Sequence, residues 1–434
     1  MTDNEKILVA GCAAGAAAAT VPAVYGFVRA TARQPITDRD FLRAENGEFI
    51  SECGAHMSLR GINLNDDLFG FTKADLDGNA ADYDVFAALE ARFGTYGARL
   101  LVSKYNENFI TPSDIKKIAK LGANCVRIPL RYKYLLSKKN CKGDIDFERL
   151  DKIVEKCKKA GIYVILDLHS APGFQNTDSA CGTGDSSVLF SSSKDGFEAR
   201  NATVRLWAQI AAHYKDEPAI AAYDLLNRPL NRIAEWESNL DTLHKFYRRL
   251  LKAIRSVDEK HIIILEAAGA PDTLPDAEKF KGENIAYGLY SHFHTTYEIE
   301  SLLNGVKALS SSGVPFVVCK LRADDNLDSS LEALNDNGIS WLAGDYKGEG
   351  LKAAYLYGGT AAENADLDAD TYDEIEKKWS KPLATKNYTL NKEMAAVLKK
   401  AFKDSIVLPD KEEKTTAPKF RVKLGARIIY GKTV

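Results

Sequence analysis

Ala222-Tyr223-Asp224-Leu225-Leu226-Asn227-Arg228-Pro229-Leu230 is an apolar run that stops abruptly at a polar pair followed by proline. It reads as a buried strand that delivers Asn227 and Arg228 to a rim. Strands of this kind suit a parallel barrel, in which side chains just past the C-terminal strand ends form the site and the outer helices supply scaffold.

Outward from this stretch, apolar strands alternate with amphipathic helices, the sequence sign of a parallel sheet. Residues 59–64, 124–129 and 162–169 read as strands one to three and 220–227 as the fourth. Residues 261–267, 285–291, 314–321 and 338–343 complete eight. Between them, 147–160, 199–214, 240–257 and 302–310 space their apolar residues at helical intervals, as does a final stretch at 390–402. The insert 66–109 holds an acidic loop and a helical stretch at 83–93. Thr111 is a good N-cap before Pro112 and Asp114, and Gly122 ends the helix that follows. Glu45-Asn46-Gly47-Glu48 reads as a hairpin turn. The fold class is therefore α/β, a (β/α)8 TIM barrel over 36–405, flanked by an N-terminal hydrophobic segment (1–35) and a short basic C-terminal tail (406–434).

The 434 residues suffice for one barrel plus additions. With 58 Lys and Arg against 60 Asp and Glu the formal charge is −2, which gives no reason to expect a nucleic-acid partner. The seven cysteines (12, 53, 125, 141, 157, 181 and 319) are an odd number without a C-x-x-C pair, indicating neither a zinc cluster nor a disulfide framework. No cofactor is expected. Residues 7–28 carry no charge and are long enough to cross a bilayer as a helix, although their hydrophobicity is weak. A membrane anchor is the favoured reading, with a cleaved signal peptide or an Ala-rich soluble helix as alternatives. The protein is thus expected to be membrane-anchored or secreted, with the side of the membrane undecided. The lysine-rich tail is either an edge hairpin or disordered.

Three motifs carry chemistry: Arg127 in Val-Arg-Ile-Pro, His169 within Asp167-Leu168-His169-Ser170-Ala171-Pro172-Gly173-Phe174-Gln175-Asn176, and Asn227 before Arg228-Pro229. Together with Arg60-Gly61-Ile62-Asn63-Leu64, they resemble glycoside hydrolase family 5 from about residue 59 to 359, closest to members acting on β-1,3-glucans. The resemblance implies a glycosidase ancestry and a glycan or oligosaccharide partner, with Arg127, His169 and Asn227 as ligand-binding residues. Tyr290, His292 and Trp341 join them as pocket candidates. In that family the acid/base glutamate lies in Asn-Glu-Pro and the nucleophile ends the seventh strand. Here Arg228 and Lys320 fall at those positions.

Retaining glycosidases need two carboxyl groups about 5 to 5.5 Å apart, one to protonate the leaving oxygen and one to attack the anomeric carbon. Arginine stays charged at any working pH and cannot cycle a proton. Two cations beside an oxocarbenium-like transition state would each cost roughly 3 kcal/mol at about 5 Å and an effective dielectric near 20. The sequence therefore points to a barrel that no longer hydrolyses glycosides. The alternatives are hydrolysis by relocated carboxylates, with Glu266 and Asp324 as substitutes and Asp325, Glu235 and Glu237 also within reach by position, or a cationic pocket for anionic sugars. Glu266 and one aspartate are expected to form ion pairs with Arg228 and Lys320.

Overall fold

The computed structural model describes residues 34–64, 72–73, 82–136, 144–178, 181, 187–230, 233–293, 296–323, 326–349, 355–359, 365–403, 406–407, 420–422 and 429–431. Eight parallel strands form its centre: β1 (Arg60–Asn63), β2 (Cys125–Arg131), β3 (Tyr163–Ser170), β4 (Ile220–Asp224), β5 (Ile262–Glu266), β6 (Ile285–Phe293), β7 (Phe316–Ala323) and β8 (Ser340–Glu349). Each pairs with the next, and β8 returns to β1 with Trp341 opposite Arg60 and Ala343 opposite Ile62. The barrel is closed, so none of its strands is an open edge.

All eight strands coincide with the expected runs. The fourth ends at Asp224, short of Asn227, whose amide still donates to the Leu168 carbonyl at 3.1 Å. The last three extend past expectation into the polar residues that form the mouth.

The surrounding helices are α1 (Asp82–Phe109), α2 (Pro112–Leu121), α3 (Glu148–Ala160), α4 (Lys194–Tyr214), α5 (Ile233–Arg255), α6 (Thr296–Ala308), α7 (Leu327–Asp336) and α8 (Lys392–Ala401). Gly94, at φ 69°, breaks α1 in two, a conformation that costs glycine little. Ahead of α2, the Asp114 carboxylate accepts from both the Thr111 amide and hydroxyl at 2.8 Å, and Gly122 closes the helix at φ 115°. The capping expected there is realised. Helix α7 has no counterpart in the sequence reading; it buries Leu327, Leu331 and Leu334 along one side.

Beneath the barrel, Leu42–Glu45 and Glu48–Ser51 form the expected hairpin, turning through Asn46 at φ 52° and Gly47 at φ 82°. His56–Met57 extends that sheet, and Ile406–Val407 adds an antiparallel strand to it. In the tail, Phe420–Val422 pairs antiparallel with Ile429–Gly431. Residues 7–28 lie outside the described residues, among which no helix is long and apolar enough to cross a membrane. Cys125, Cys157, Cys181 and Cys319 are buried thiols.

Candidate functional site

The floor of the barrel mouth is an ionic network around Arg127, which β2 presents fully buried. Its Nε donates to Asp224 at 2.9 Å and its Nη2 to Glu266 at 2.8 Å, while Asp167 lies 3.0 Å from Nη2. The same Nη2 reaches Asn227 Oδ1 at 3.1 Å. One guanidinium thus faces three buried carboxyl groups, an imbalance that resists full ionisation. Burial pushes Asp167 up to about 7 against the pull of Arg127. It also raises Asp224 and Glu266, and the mutual repulsion of these carboxylates adds to the shift.

His169 donates from Nδ1 to Asp167 at 2.6 Å. Burial, reinforced by Arg131 and Arg127, holds its pKa well below the ordinary value, so the ring is neutral and Nε2 is the acceptor. The Asn227 amide nitrogen lies 3.5 Å from that atom. The loop after β3 holds this arrangement together: Gln175 Nε2 donates to the carbonyls of His169 and Asn227 at 2.8 and 3.0 Å, and Asn176 donates to that of Arg228. Arg127, His169 and Asn227 are therefore brought together, as their motifs suggest.

Above this floor stand two cations. Arg228 occupies the left-handed region at φ 43°, rare for a side chain of its size, and its backbone N–H donates to Glu266 Oε2 at 2.8 Å. Its guanidinium is held by Asp178 at 2.6 Å and lies 4.5 Å from the Tyr290 ring centre. Lys320, fully buried, meets Asp345 at 2.9 Å and stands 5.7 Å from the same ring. Arg322 takes the other Asp345 oxygen at 2.6 Å. Burial pulls the Lys320 amine down to about 8, more than Asp345 restores, and Arg322 adds to the fall. Burial opposes ionisation of Asp345 too, but its two cations win and hold it below the usual carboxylate range.

This geometry corrects two expectations. Glu266 pairs with Arg127 and with the Arg228 backbone, while the side chains of Arg228 and Lys320 take Asp178 and Asp345. Trp341 is fully buried, stacked on Phe402 with ring centres 5.3 Å apart and its indole N–H on Asn335 at 2.8 Å. It faces the outer helices and offers no surface to a ligand in the mouth. Glu237 is exposed on α5. Asp324 and Asp325, and the side chains of Glu235 and His292, lie outside the described residues. The residues missed in sequence are Asp178, Arg322 and Asp345. For Asp178 a signal existed, since it sits two residues beyond the motif ending at Asn176. Asp224, Glu266 and Cys319 bring donor atoms within 4.8 Å of one another. A guanidinium nitrogen already lies 2.8 Å from an oxygen of each carboxylate, supplying the positive charge a metal would bring.

A family model described as cellulase (glycosyl hydrolase family 5) matches residues 87–387. Among curated proteins, a beta-xylosidase of Phanerodontia chrysosporium is 30% identical over 267 residues, covering 58% of this chain and 52% of its own length. Endoglucanase C of Acetivibrio thermocellus is 28% identical over 196 residues, covering 44% of this chain and 52% of its own length. The chain thus spans about half the length of these relatives. A crystal structure of an endogalactoceramidase superposes with a TM-score of 0.51 at 20% identity, over 70% of this chain and 74% of that one, a likeness of fold.

Proposed function

Because the chain belongs to glycosyl hydrolase family 5, we propose that it is a member that has given up glycoside hydrolysis and acts as a glycan-binding or scaffold protein. The observation that carries this reading is the pairing of Arg228 with Asp178 and of Lys320 with Asp345. The motif resemblance puts these two residues where the family carries its acid/base and nucleophile glutamates. Retaining hydrolysis needs one proton-cycling carboxyl and one nucleophilic carboxylate on opposite sides of the scissile bond. Two cations, each tied to its own aspartate, supply neither.

Relocated catalysis through Glu266 is disfavoured by its position, since it is 1% exposed and committed to Arg127. An anion-gripping mouth is disfavoured as well, because Lys320 is fully buried and both cations are already neutralised in place. Neutral gluco-oligosaccharides, held by hydrogen bonds and the half-buried Tyr290 ring, are the ligands that fit best. Residues 7–28 are proposed as a membrane anchor on their composition, and deletion of residues 1–35 should then release the protein from the membrane fraction.

Incubation with β-1,3- and β-1,4-glucans and aryl β-glucosides should release no reducing sugar above a no-protein blank. Calorimetric titration with gluco-oligosaccharides should show binding that Tyr290→Ala weakens. Sugar release abolished by Glu266→Gln would overturn the reading in favour of relocated catalysis. Absence of binding to any oligosaccharide would leave a purely structural role.

A further inference from the structure

Lys320 and Arg322, two residues apart on β7, both turn to Asp345. The amine lies 2.9 Å from one carboxylate oxygen and Arg322 Nη2 lies 2.6 Å from the other. Lys320 is fully buried, and Tyr290, its neighbour in the β6–β7 register, places its ring centre 5.7 Å from the amine. Two cations thus draw on one carboxylate. Arg322 Nε is buried as well and has no acceptor among the described residues. An orphaned buried donor costs free energy until an acceptor reaches it. The acceptor that fits is one small enough to enter a site closed to solvent and able to stand between the amine and the guanidinium.

Carbon dioxide meets both conditions, since it carries no charge to desolvate and becomes an acceptor only when an amine adds to its carbon. That addition needs a neutral amine. Burial, helped by Arg322 and opposed by Asp345, pulls Lys320 down to about 8, so at about pH 7.5 roughly a quarter of these amines are neutral, against about one in a thousand for a solvated lysine. Neutrality alone does not single out Lys320. Lys347 on β8 is just as buried, and burial brings its amine to about 7. Its Nζ, however, donates to the carbonyls of Phe109 and Leu383 and to Thr385 Oγ1, over the rings of Phe109 and Tyr388. Those oxygens and ring faces would repel a new carboxylate. Beside Lys320 stands a guanidinium, the group whose fork grips carboxylates.

We propose that Lys320 is a site of reversible carbamylation by carbon dioxide, with the carbamate oxygens received by Arg322 and the remaining N–H kept on Asp345. Starting from the ammonium, one proton leaves to free the Nζ lone pair, which attacks the carbon and forms the C–N bond while one C=O electron pair moves onto oxygen. A second proton then leaves the nitrogen, so each carbon dioxide taken up releases two protons and yields Nζ(H)–COO⁻. The adduct turns the cation at the family's nucleophile position into a carboxylate on a longer side chain, and the charge of the mouth then follows carbon dioxide. The inference rests on Lys320 standing in the mouth and not on glycan binding, so either can fail without the other.

The test equilibrates the full chain with isotope-labelled bicarbonate at about pH 8, fixes carbamates as esters with a trialkyloxonium salt and maps the label by mass spectrometry. A short peptide with a free α-amino group, titrating near ~8, is trapped in the same tube as the standard. Label should appear on the peptide that holds Lys320 and be at least about tenfold weaker on the one that holds Lys347. Arg322→Gln should raise the bicarbonate needed for half-occupancy about tenfold, one charge-assisted bond being worth about that factor. A parent chain without label at Lys320 while the standard is labelled would overturn the proposal. So would equal label at Lys347, or half-occupancy unchanged in Arg322→Gln.

Discussion

Replacing Lys320 by Met tests whether the cation in the seventh strand is a burden that the fold carries. The amine titrates at about 8 in its buried site against 10.5 when solvated. At 1.36 kcal/mol per tenfold change, holding it charged at pH 7 costs roughly 3 kcal/mol. Methionine has similar length and no charge to desolvate. Asp345 then keeps Arg322, 2.6 Å away, and its pull on the amine is already part of that balance. Lys320→Met should therefore be more stable than the parent by about 2 to 3 kcal/mol at pH 7. The difference changes with pH. Between about 8 and 10.5 the folded parent has released this proton while the unfolded chain still holds it, so parental stability rises with pH through that window. The variant, lacking the group, gains nothing there. Urea unfolding of both proteins at pH 7 and pH 10 should show the variant's advantage shrinking by about 2 to 3 kcal/mol, towards zero. A variant less stable by more than about 1 kcal/mol at pH 7, or a difference that ignores pH, would refute the reasoning.

Arg127→Met should cost about 3 to 5 kcal/mol or abolish folding, because Asp167, Asp224 and Glu266 lose their shared cation; urea midpoints measure it. Trp341→Ala should cost about 3 to 5 kcal/mol through the cavity it leaves beside Phe402, yet oligosaccharide affinity at the mouth, read by calorimetry, should not change. Asp178→Asn should free the Arg228 guanidinium and give the mouth an affinity for glucose 6-phosphate at least about tenfold above the parent's, lost again in Asp178→Asn with Arg228→Ala.

The barrel was legible because its strands are buried on both sides and so read as continuous apolar runs between amphipathic helices. Helix α7 was not, since ten residues with three buried leucines fall short of a clear periodic signal. Arg127, His169 and Asn227 converge because they lie on, or just past, the three adjacent strands β2, β3 and β4, where position along the chain nearly determines position in space. Asp178 and Asp345 are 50 and 25 residues from the cations they hold; the path of the loop after β3 brings Asp178 there, and the pairing of β8 with β7 brings Asp345. Trp341 is misread for a local reason: successive side chains on a strand alternate between its two faces, and Trp341 falls on the outward one, against Phe402 and Asn335. The register break between Ala343 and Asp345 then changes which later residues turn inward.

The bend at residue 228 divides the work of one position between main chain and side chain. Its left-handed backbone turns the amide down onto Glu266, while the side chain leaves in another direction, toward Asp178 and Tyr290. The anchoring of the turn thus depends on an N–H that every residue except proline possesses. Position 228 is a socket: its occupant can be exchanged, even with reversal of charge, while the floor beneath keeps its bonds. On the proposed reading, such a socket is what lets a reaction be lost while the architecture around it stays.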